Sequence, residues 1–161
     1  MSVHIRQATR ADAEVILGFI TELAIYEKAE HEVLASVADI ERSLFDEASP
    51  AHGLICLLND KPIGFAVYFF NYSTWQGRKG LYLEDLFVSL EHRGVGAGKQ
   101  LLRHLAKIAH DSGCGRFEWS VLDWNEPAIE FYKSIGAAPQ DEWVRYRMEG
   151  DRLKDFALGA S

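Results

Sequence analysis

A strand, a glycine-rich turn, a helix and a second strand follow one another between residues 81 and 122, and this order constrains the fold most strongly. Leu81 to Val88 is rich in apolar residues and predicts a strand, whereas residues 99–112 carry apolar side chains at helical spacing. Phe117–Leu122 predicts the second strand. Two strands joined through a helix form a parallel crossover, and ligands favour the crevice at the carboxyl ends of such strands.

The other predicted elements surround this crossover with further strands and helices. They are strands at 3–7, Gly53–Leu58, Ile63–Tyr72 and Trp143–Met148, and helices at 11–28, 36–46, Pro127–Ile135 and in the tail. The turn residues Asn59 to Pro62 make an antiparallel hairpin of the two middle strands. We therefore expect an α/β (α+β) fold, with a central mixed, mostly antiparallel sheet, a parallel crossover and flanking helices. One domain is expected over residues 1–161.

Composition narrows the class of protein. The chain has 161 residues and a formal net charge of −7, which argues against nucleic acid as the main partner because phosphate backbones favour basic surfaces. Phe65–Phe70 is the longest apolar run and is too short to span a membrane, and the first residues are too polar for a signal peptide. We expect a cytoplasmic protein without membrane partners.

The cysteines and histidines also indicate the compartment and the absence of a metal site. Cys56 and Cys114 lie far apart in sequence and have no CxxC partner, so we expect two free thiols in a reducing compartment. The six histidines have no spacing typical of metal ligands, so no metal is expected.

The turn between the crossover strand and its helix is the clearest candidate binding site. Its residues are Arg93, Gly94, Val95, Gly96, Ala97 and Gly98. Glycines allow close approach of the backbone, and the helix start presents unpaired N–H groups, so the turn is suited to a pyrophosphate. No Gly-Lys-Ser/Thr follows as in a Walker loop, and the alternative is a tight turn without a ligand.

Arg93-Gly-Val-Gly-Ala-Gly98 resembles the Gln/Arg-x-x-Gly-x-Gly/Ala signature of the GNAT N-acetyltransferase superfamily. The segment from Trp124 to Ala137 resembles a second landmark of that family, an Asn followed by a helix that carries a Tyr. Three further segments resemble the spermidine/spermine (diamine) acetyltransferase branch. They are Glu22–Glu27, Phe65–Gly77 and Leu81–Val88. The resemblance covers nearly the whole chain and implies the GNAT fold and acetyl-CoA as cosubstrate.

The resemblance implies which residues hold the coenzyme. The backbone of Arg93 to Gly98 would bind the pyrophosphate, and the strand end at Phe87 and Val88 would pair with the pantetheine arm. Asn125 would orient that arm, or serve only as a helix N-cap. The outer phosphates would meet Lys133, with Lys99 and Arg103, although all three also suit ordinary solvated helix cations.

Acetyl transfer to an amine needs a base for the ammonium proton and an acid for the leaving thiolate. By resemblance Tyr132 is the general acid, and its alternative is a core tyrosine beside Phe131. Glu84 would be the base, acting through a water, and Asp85 would hold the cationic substrate, unless one of them is a structural hydrogen-bond acceptor. Since side chains alternate along a strand, both carboxylates reach one site only if a β-bulge intervenes.

Three further positions match the substrate side of the diamine branch, and Trp143 is a fourth candidate for substrate binding. Tyr26, Glu27 and Trp75 would contact the cation or its methylene chain, with simple packing as the alternative. Trp143 lies beside Asp141 and Glu142, which would supply compensating negative charge. The family's polyamine enzymes carry an acidic residue where this chain has Ser73, and this leaves room for a shorter amine such as a diamine, lysine or thialysine.

Three functions remain open from the sequence. The first is acetylation of a small amine, and the second is acetylation of a protein N-terminus or lysine. The third is a non-catalytic sensor of acyl-coenzyme A. Family members are commonly homodimers, so we expect a homodimer here.

Overall fold

One mixed sheet organises the part of the chain before Asp123 in the computed structural model, which describes residues 2–159. Its strands are β1 Val3–Gln7, β2 Ala51–Leu58, β3 Lys61–Ser73, β4 Arg78–Val88 and β5 Phe117–Trp119. They lie in the order β1-β2-β3-β4-β5, antiparallel except for the parallel pair β4–β5. The expected fold class and its parallel crossover are confirmed.

The hairpin between β2 and β3 shows why the chain reverses where it does. Asn59 and Asp60 both have positive φ, 51° and 65°. Asparagine and aspartate tolerate this left-handed backbone better than most residues, and two such residues in succession are typical of the tight turns that join antiparallel strands. The expected hairpin is confirmed, with strands slightly longer than predicted.

Helices cover the sheet in this first unit. They are α1 Ala13–Tyr26, α2 Val37–Phe45 and α3 Ala97–Asp111. Ser36 accepts a hydrogen bond from the backbone N–H of Asp39, the capping arrangement that starts α2. Before α1, Asp12 is buried and takes an ion pair from Arg6 at 2.7 Å, which fixes the helix start against β1.

An apolar cluster lies between α1 and one face of the sheet. Ile16 and Phe19 of α1 pack with Ile55, Phe65 and Phe87 of three neighbouring strands. The rings of Phe19 and Phe65 stack with centroids 5.7 Å apart. Side chains of α3 such as Leu101 and Leu105 are also fully buried, as expected from their helical spacing.

The residues from Asp123 onward form a second compact unit. It contains α4 Glu126–Ser134 and α5 Gly150–Ala157. Pro127 lies in the first turn of α4, where its missing N–H costs nothing, and Gly136 follows the helix with φ 93°. The prediction of one domain over 1–161, whose ends lie outside the described residues, stays a prediction.

Two predicted strands need correction. Trp143–Met148 is not a strand, and its Tyr146 side chain is 93% exposed. The apolar–polar alternation was compatible with a strand, but a strand also needs backbone hydrogen bonds with a neighbouring strand, which alternation alone does not supply. Similarly, β5 was predicted to end at Leu122 but ends at Trp119, because its hydrogen-bond ladder with β4 stops at the pair of Leu83 and Trp119.

Two observations bear on the chain's environment. Within residues 2–159, no helix has the length and apolar character needed to cross a membrane. Cys56 and Cys114 are both free, and burial raises the pKa of the Cys56 thiol to about 11. That thiol is therefore protonated and unreactive at neutral pH.

Candidate active site

A β-bulge in β4 places the two adjacent carboxylates of that strand. The ladder pairs Val67 with Asp85 and the next residue, Tyr68, with Leu83, so Glu84 is an extra residue in β4. An extra residue reverses the alternation of side chains along a strand. Val67 and Phe87 belong to the cluster packed against α1, and Asp85 shares their face of the sheet. The bulge that the sequence required for Glu84 and Asp85 to share a site is present.

Three carboxylates gather at this bulge. Glu84 is exposed, whereas Asp85 and Glu27, which follows the end of α1, are partly buried. Burial, together with the negative charges of Glu84 and Glu27, raises the pKa of Asp85 to about 6. Burial also raises the pKa of Glu27. Carboxylates that repel one another in a partly dry site favour a cation among them.

The side chain of Arg93 connects these carboxylates to the glycine turn. Its guanidinium carbon lies 5.5 Å from the ring centre of Tyr26 and 5.4 Å from that of Phe87. Its Nε donates a hydrogen bond to the carbonyl of Val88 at 2.8 Å. Tyr26 precedes Glu27, so Arg93 holds the end of α1, the end of β4 and the turn together.

The turn itself is shaped for close approach of a ligand. Gly94 and Gly96 have φ values of 91° and 81°, and Gly96 is the N-cap of α3. A methyl group placed on Gly94, Gly96 or Gly98 would meet no other atom within 4 Å. The open backbone therefore lies directly before a helix start whose N–H groups favour an anion, and this fits the diphosphate of a coenzyme.

Beside the bulge, β4 parts from its neighbour β5. The last paired residues are Leu83 and Trp119, and β4 continues alone on that side to Val88. Where the strands part, the hydroxyl of Tyr82 lies 2.7 Å from the hydroxyl of Ser120. Beyond Leu83, β4 has no strand partner on this side in residues 2–159, and the carbonyl of Val88 accepts the hydrogen bond from Arg93.

Trp75 lies far from these residues along the same hairpin. It is in the turn between β3 and β4, beyond Ser73, and is 80% exposed. Ser73 is six residues farther along β3 than Val67, the partner of Asp85, which corresponds to about 20 Å. The buried Ser73 hydroxyl accepts a hydrogen bond from the backbone N–H of Gln76, so it supports the turn. The structure does not bring Trp75 or Ser73 to the carboxylates.

The remaining predicted residues lie in the second unit. Asn125 is the N-cap residue of α4, and Tyr132 is half-buried on that helix, with its ring 5.9 Å from that of Phe131. Lys133 is exposed, and Trp143 is 67% exposed. Their roles stay predictions.

Sequence reasoning missed two features of the first unit. The stacking of Arg93 on Tyr26 joins residues 67 positions apart, and nothing in the sequence pattern indicates it. The contact between Tyr82 and Ser120 also depends on strand register, which a single sequence does not define. In contrast, adjacent carboxylates within an apolar strand were a usable signal for the bulge.

Comparison with known proteins identifies the family of this chain. The model of the Acetyltransferase (GNAT) family matches residues 15–137. The chain is 38% identical to the thialysine N-epsilon-acetyltransferase of Sus scrofa, over 97% of this chain and 98% of that protein. It is 35% identical to the spermidine/spermine N(1)-acetyltransferase-like protein 1 of Homo sapiens, over 95% of this chain and 23% of that longer protein.

A solved structure gives the same result at the level of the fold. An integron cassette protein from the mobile metagenome of V. cholerae superposes with a TM-score of 0.81 and 35% identity, over 98% of both chains. Together, the family match, the full-length relatives and the glycine turn show that the chain belongs to the GNAT acetyltransferase family, in its diamine acetyltransferase branch, and is an acetyl-CoA-dependent acyltransferase.

Proposed function

We propose that this protein transfers an acetyl group from acetyl-CoA to a primary amine of a small cationic substrate, either a diamine or polyamine or an amino acid like lysine or thialysine. The observation that carries the proposal is the gathering of Glu27, Glu84 and Asp85 at the β4 bulge. A site that brings three carboxylates together favours a small, positively charged acceptor. A protein N-terminus or lysine is the weaker candidate because it brings one positive charge.

In this proposal the carboxylates divide the work according to their exposure. The acceptor amine arrives as an ammonium ion, because alkyl amines of this kind have a pKa near 10.4. Exposed Glu84 takes the proton through a water, whereas Asp85 and Glu27 hold the positive charge. Since burial and its neighbours hold the pKa of Asp85 at about 6, this carboxyl is ionised at neutral pH and is ready for a cation.

The bond changes follow from these roles. The neutral amine nitrogen forms a bond to the acetyl carbon, and the bond from that carbon to the coenzyme sulfur breaks. The amine proton passes to Glu84, and Tyr132 donates its phenolic proton to the departing sulfur. Through water, Glu84 releases both the ammonium proton and the proton that the nitrogen loses as the amide forms. Tyr132 takes up one proton from solvent, so each turnover releases one proton overall and the enzyme returns to its starting state.

The glycine turn and the free edge of β4 account for coenzyme binding in this proposal. The N–H groups from Arg93 to Gly98 meet the diphosphate, and the β4 edge at Phe87 and Val88 pairs with the amide groups of the pantetheine arm. Asn125 and Lys133 supply further coenzyme contacts. The pantetheine arm then leads from the diphosphate toward the bulge, where the carboxylates lie.

On the substrate side, Tyr26 packs against Arg93 and so positions Glu27. Trp143 stays in the proposal as a contact to the substrate's methylene chain, whereas Trp75, about 20 Å from the carboxylates along the hairpin, is left out of it. The relatives favour a side-chain amine of an amino acid as much as a polyamine, because one relative is named for thialysine and another for spermidine and spermine. We also propose a cytoplasmic location.

A thiol-release assay tests this function. Acetyl-CoA is supplied with putrescine, spermidine, spermine, lysine, thialysine, ornithine or short peptides, and free coenzyme A is measured. We expect turnover with one or a few of the small cations and much lower turnover with peptides. Glu84→Gln should reduce turnover at least 100-fold at neutral pH, because the base is lost while coenzyme binding is kept.

The matched control is Glu47→Gln, which removes an exposed carboxylate outside the site and should leave turnover unchanged. Turnover with peptides alone would replace the proposed substrate by a protein amine. If no amine released thiol while acetyl-CoA still raised the melting temperature, the protein would be a sensor of acyl-coenzyme A and the proposal would be wrong.

A further inference from the structure

A groove separate from the candidate active site lies between β1 and α3. It has a volume of about 380 Å³, which is in the range of sites for small molecules. From β1, Val3 and Ile5 give it an apolar part and His4 a polar one. From α3 the lining residues are Gln100, Arg103, His104 and Lys107.

The groove is strongly positive in an acidic protein. Four of its seven lining residues are Arg, Lys or His, and none is acidic, although the chain carries a net charge of −7. The α3 residues follow the spacing i, i+3, i+4, i+7, so they share one helix face and point their hydrogen-bond donors together. Such a concentration of donors suits an anion with more than one negative charge.

The positive groups in the groove also disturb one another. Burial and the nearby Lys107 ammonium lower the pKa of His104. Lys107 contacts Asp111 at 2.9 Å, but both side chains are more than half exposed, and exposed pairs of this kind contribute little. An anion in the groove would neutralise the charges of Arg103 and Lys107 and replace a weak partner of Lys107.

The groove lies away from the proposed coenzyme site. β1 is the opposite edge strand from β5, and three strand spacings, about 14 Å, separate it from β4. Along α3, Lys107 lies eleven residues beyond Gly96, or about 16 Å from the glycine turn. A ligand bound at Lys107 therefore lies about 16 Å along α3 from a diphosphate at the glycine turn.

From these observations we infer that the groove between β1 and α3 binds a small polyanion, one that carries phosphoryl or carboxylate groups, independently of the coenzyme. Arg103 and Lys107 supply the fixed positive charges, and His4 and His104 supply imidazole donors beside the apolar part formed by Val3 and Ile5. This inference assigns Arg103 to the groove and not to the outer phosphates of the coenzyme.

Isothermal titration calorimetry with inorganic pyrophosphate tests this inference, on the full chain saturated with coenzyme A so that the glycine turn is occupied. We expect one equivalent to bind. The double variant Arg103→Gln/Lys107→Gln should bind at least tenfold more weakly, because both fixed charges are lost. The variant Arg152→Gln/Lys154→Gln changes the net charge equally, but on exposed residues of α5, and should bind as the original protein does.

Citrate, titrated in the same way, shows which anions the groove accepts. If citrate binds with the same dependence on Arg103 and Lys107, the groove recognises charge in general, and if only pyrophosphate binds, it recognises phosphoryl groups; both outcomes support the inference. The inference would be overturned if neither anion bound or if the anion competed with coenzyme A. Equal weakening of binding in the two double variants would also overturn it. Melting temperatures of both variants check that they are folded.

Discussion

At the scale of single residues, Asp85 shows how the fold changes the chemistry of an ordinary side chain. An aspartate in an unfolded chain has a pKa near 3.9, and in the folded protein burial and two neighbouring carboxylates raise the pKa of Asp85 to about 6. Compared with the unfolded chain, the folded protein therefore favours the protonated form of Asp85. Ionised Asp85 costs stability above pH 6, and this cost disappears as the pH falls toward 4.

Asp85→Asn should accordingly stabilise the protein at high pH and not at low pH. At pH 8 we expect a gain of about 2 kcal/mol, or roughly 5 °C in melting temperature, because the substitution removes a charge that the fold disfavours. At pH 4 the gain should nearly vanish. Melting curves of the amine-free protein at the two pH values give the measurement, and exposed Asp141→Asn serves as the control. An equal gain at both pH values would contradict the assigned cause.

The same residue predicts the pH dependence of activity. If ionised Asp85 holds the ammonium group, kcat/KM for the amine should rise as the pH increases through about 6, where Asp85 loses its proton. The Asp85→Asn variant should lose this step and bind the amine at least tenfold more weakly. A pH profile in which the step persists in the variant would exclude Asp85 as its origin.

Tyr132 carries the acid role in the proposed mechanism. Tyr132→Phe should lower kcat about 100-fold, since the departing thiolate is no longer protonated, while the affinity for acetyl-CoA stays within twofold. Tyr146→Phe removes a hydroxyl from a side chain that is 93% exposed and should leave kcat unchanged. An undiminished kcat in Tyr132→Phe would show that another group or water protonates the sulfur.

At the scale of elements, the glycine turn contains two glycines at the start of α3 that have different backbone conformations. Gly96 has a φ of 81°, which side chains other than glycine adopt only at a cost, whereas Gly98 lies within α3 and has no positive φ. Neither position would bring a methyl group within 4 Å of another atom. The two glycines therefore differ in backbone conformation and not in the space available for a side chain.

This difference predicts opposite effects of the same substitution on stability. Gly96→Ala should destabilise the coenzyme-free protein by about 1 kcal/mol because alanine resists the left-handed conformation. Gly98→Ala should stabilise it by about 0.5 kcal/mol because alanine favours a helix. Urea unfolding of the two variants in parallel provides the measurement. Loss of stability in both would indicate steric crowding that the open space around the turn does not suggest.

At the scale of the whole molecule, the apolar residues after Asp123 are unusually exposed. Within the second unit, Trp143, Val144 and Tyr146 are 67%, 76% and 93% exposed, and Phe156 of α5 is 59% exposed. Apolar surface of this extent is typical of surfaces that contact another protein. We propose that this surface contacts a second copy of the chain, as the family resemblance leads us to expect.

Light scattering after size exclusion should give twice the mass of the chain at micromolar concentration. The variant Val144→Glu introduces a charge into the exposed apolar segment and should shift the protein toward the monomer. As a control, Arg145→Glu changes the charge at the neighbouring exposed position without removing apolar surface, and it should shift the protein less. A monomeric mass for the unmodified protein across the concentration range would contradict the expectation.

The sequence by itself determined the elements and the chemistry available to them. Helical spacing defined α1 and α3, Ser36 started α2, and Asn59 and Asp60 turned the hairpin, because these signals act between neighbours in the chain. Resemblance then identified the turn from Arg93 to Gly98 and the carboxylates Glu84 and Asp85. Local interactions and a family pattern were sufficient for this much.

Only the tertiary structure decided where those residues meet. The bulge that puts Glu84 and Asp85 on one face depends on the register of β4 against β3, and the stacking of Arg93 on Tyr26 depends on how α1 ends against β4. Trp143–Met148 has the pattern of a strand yet forms none, because a strand exists only through hydrogen bonds with a neighbour. Contacts between distant segments are energetic properties of the folded chain, and no local pattern encodes them.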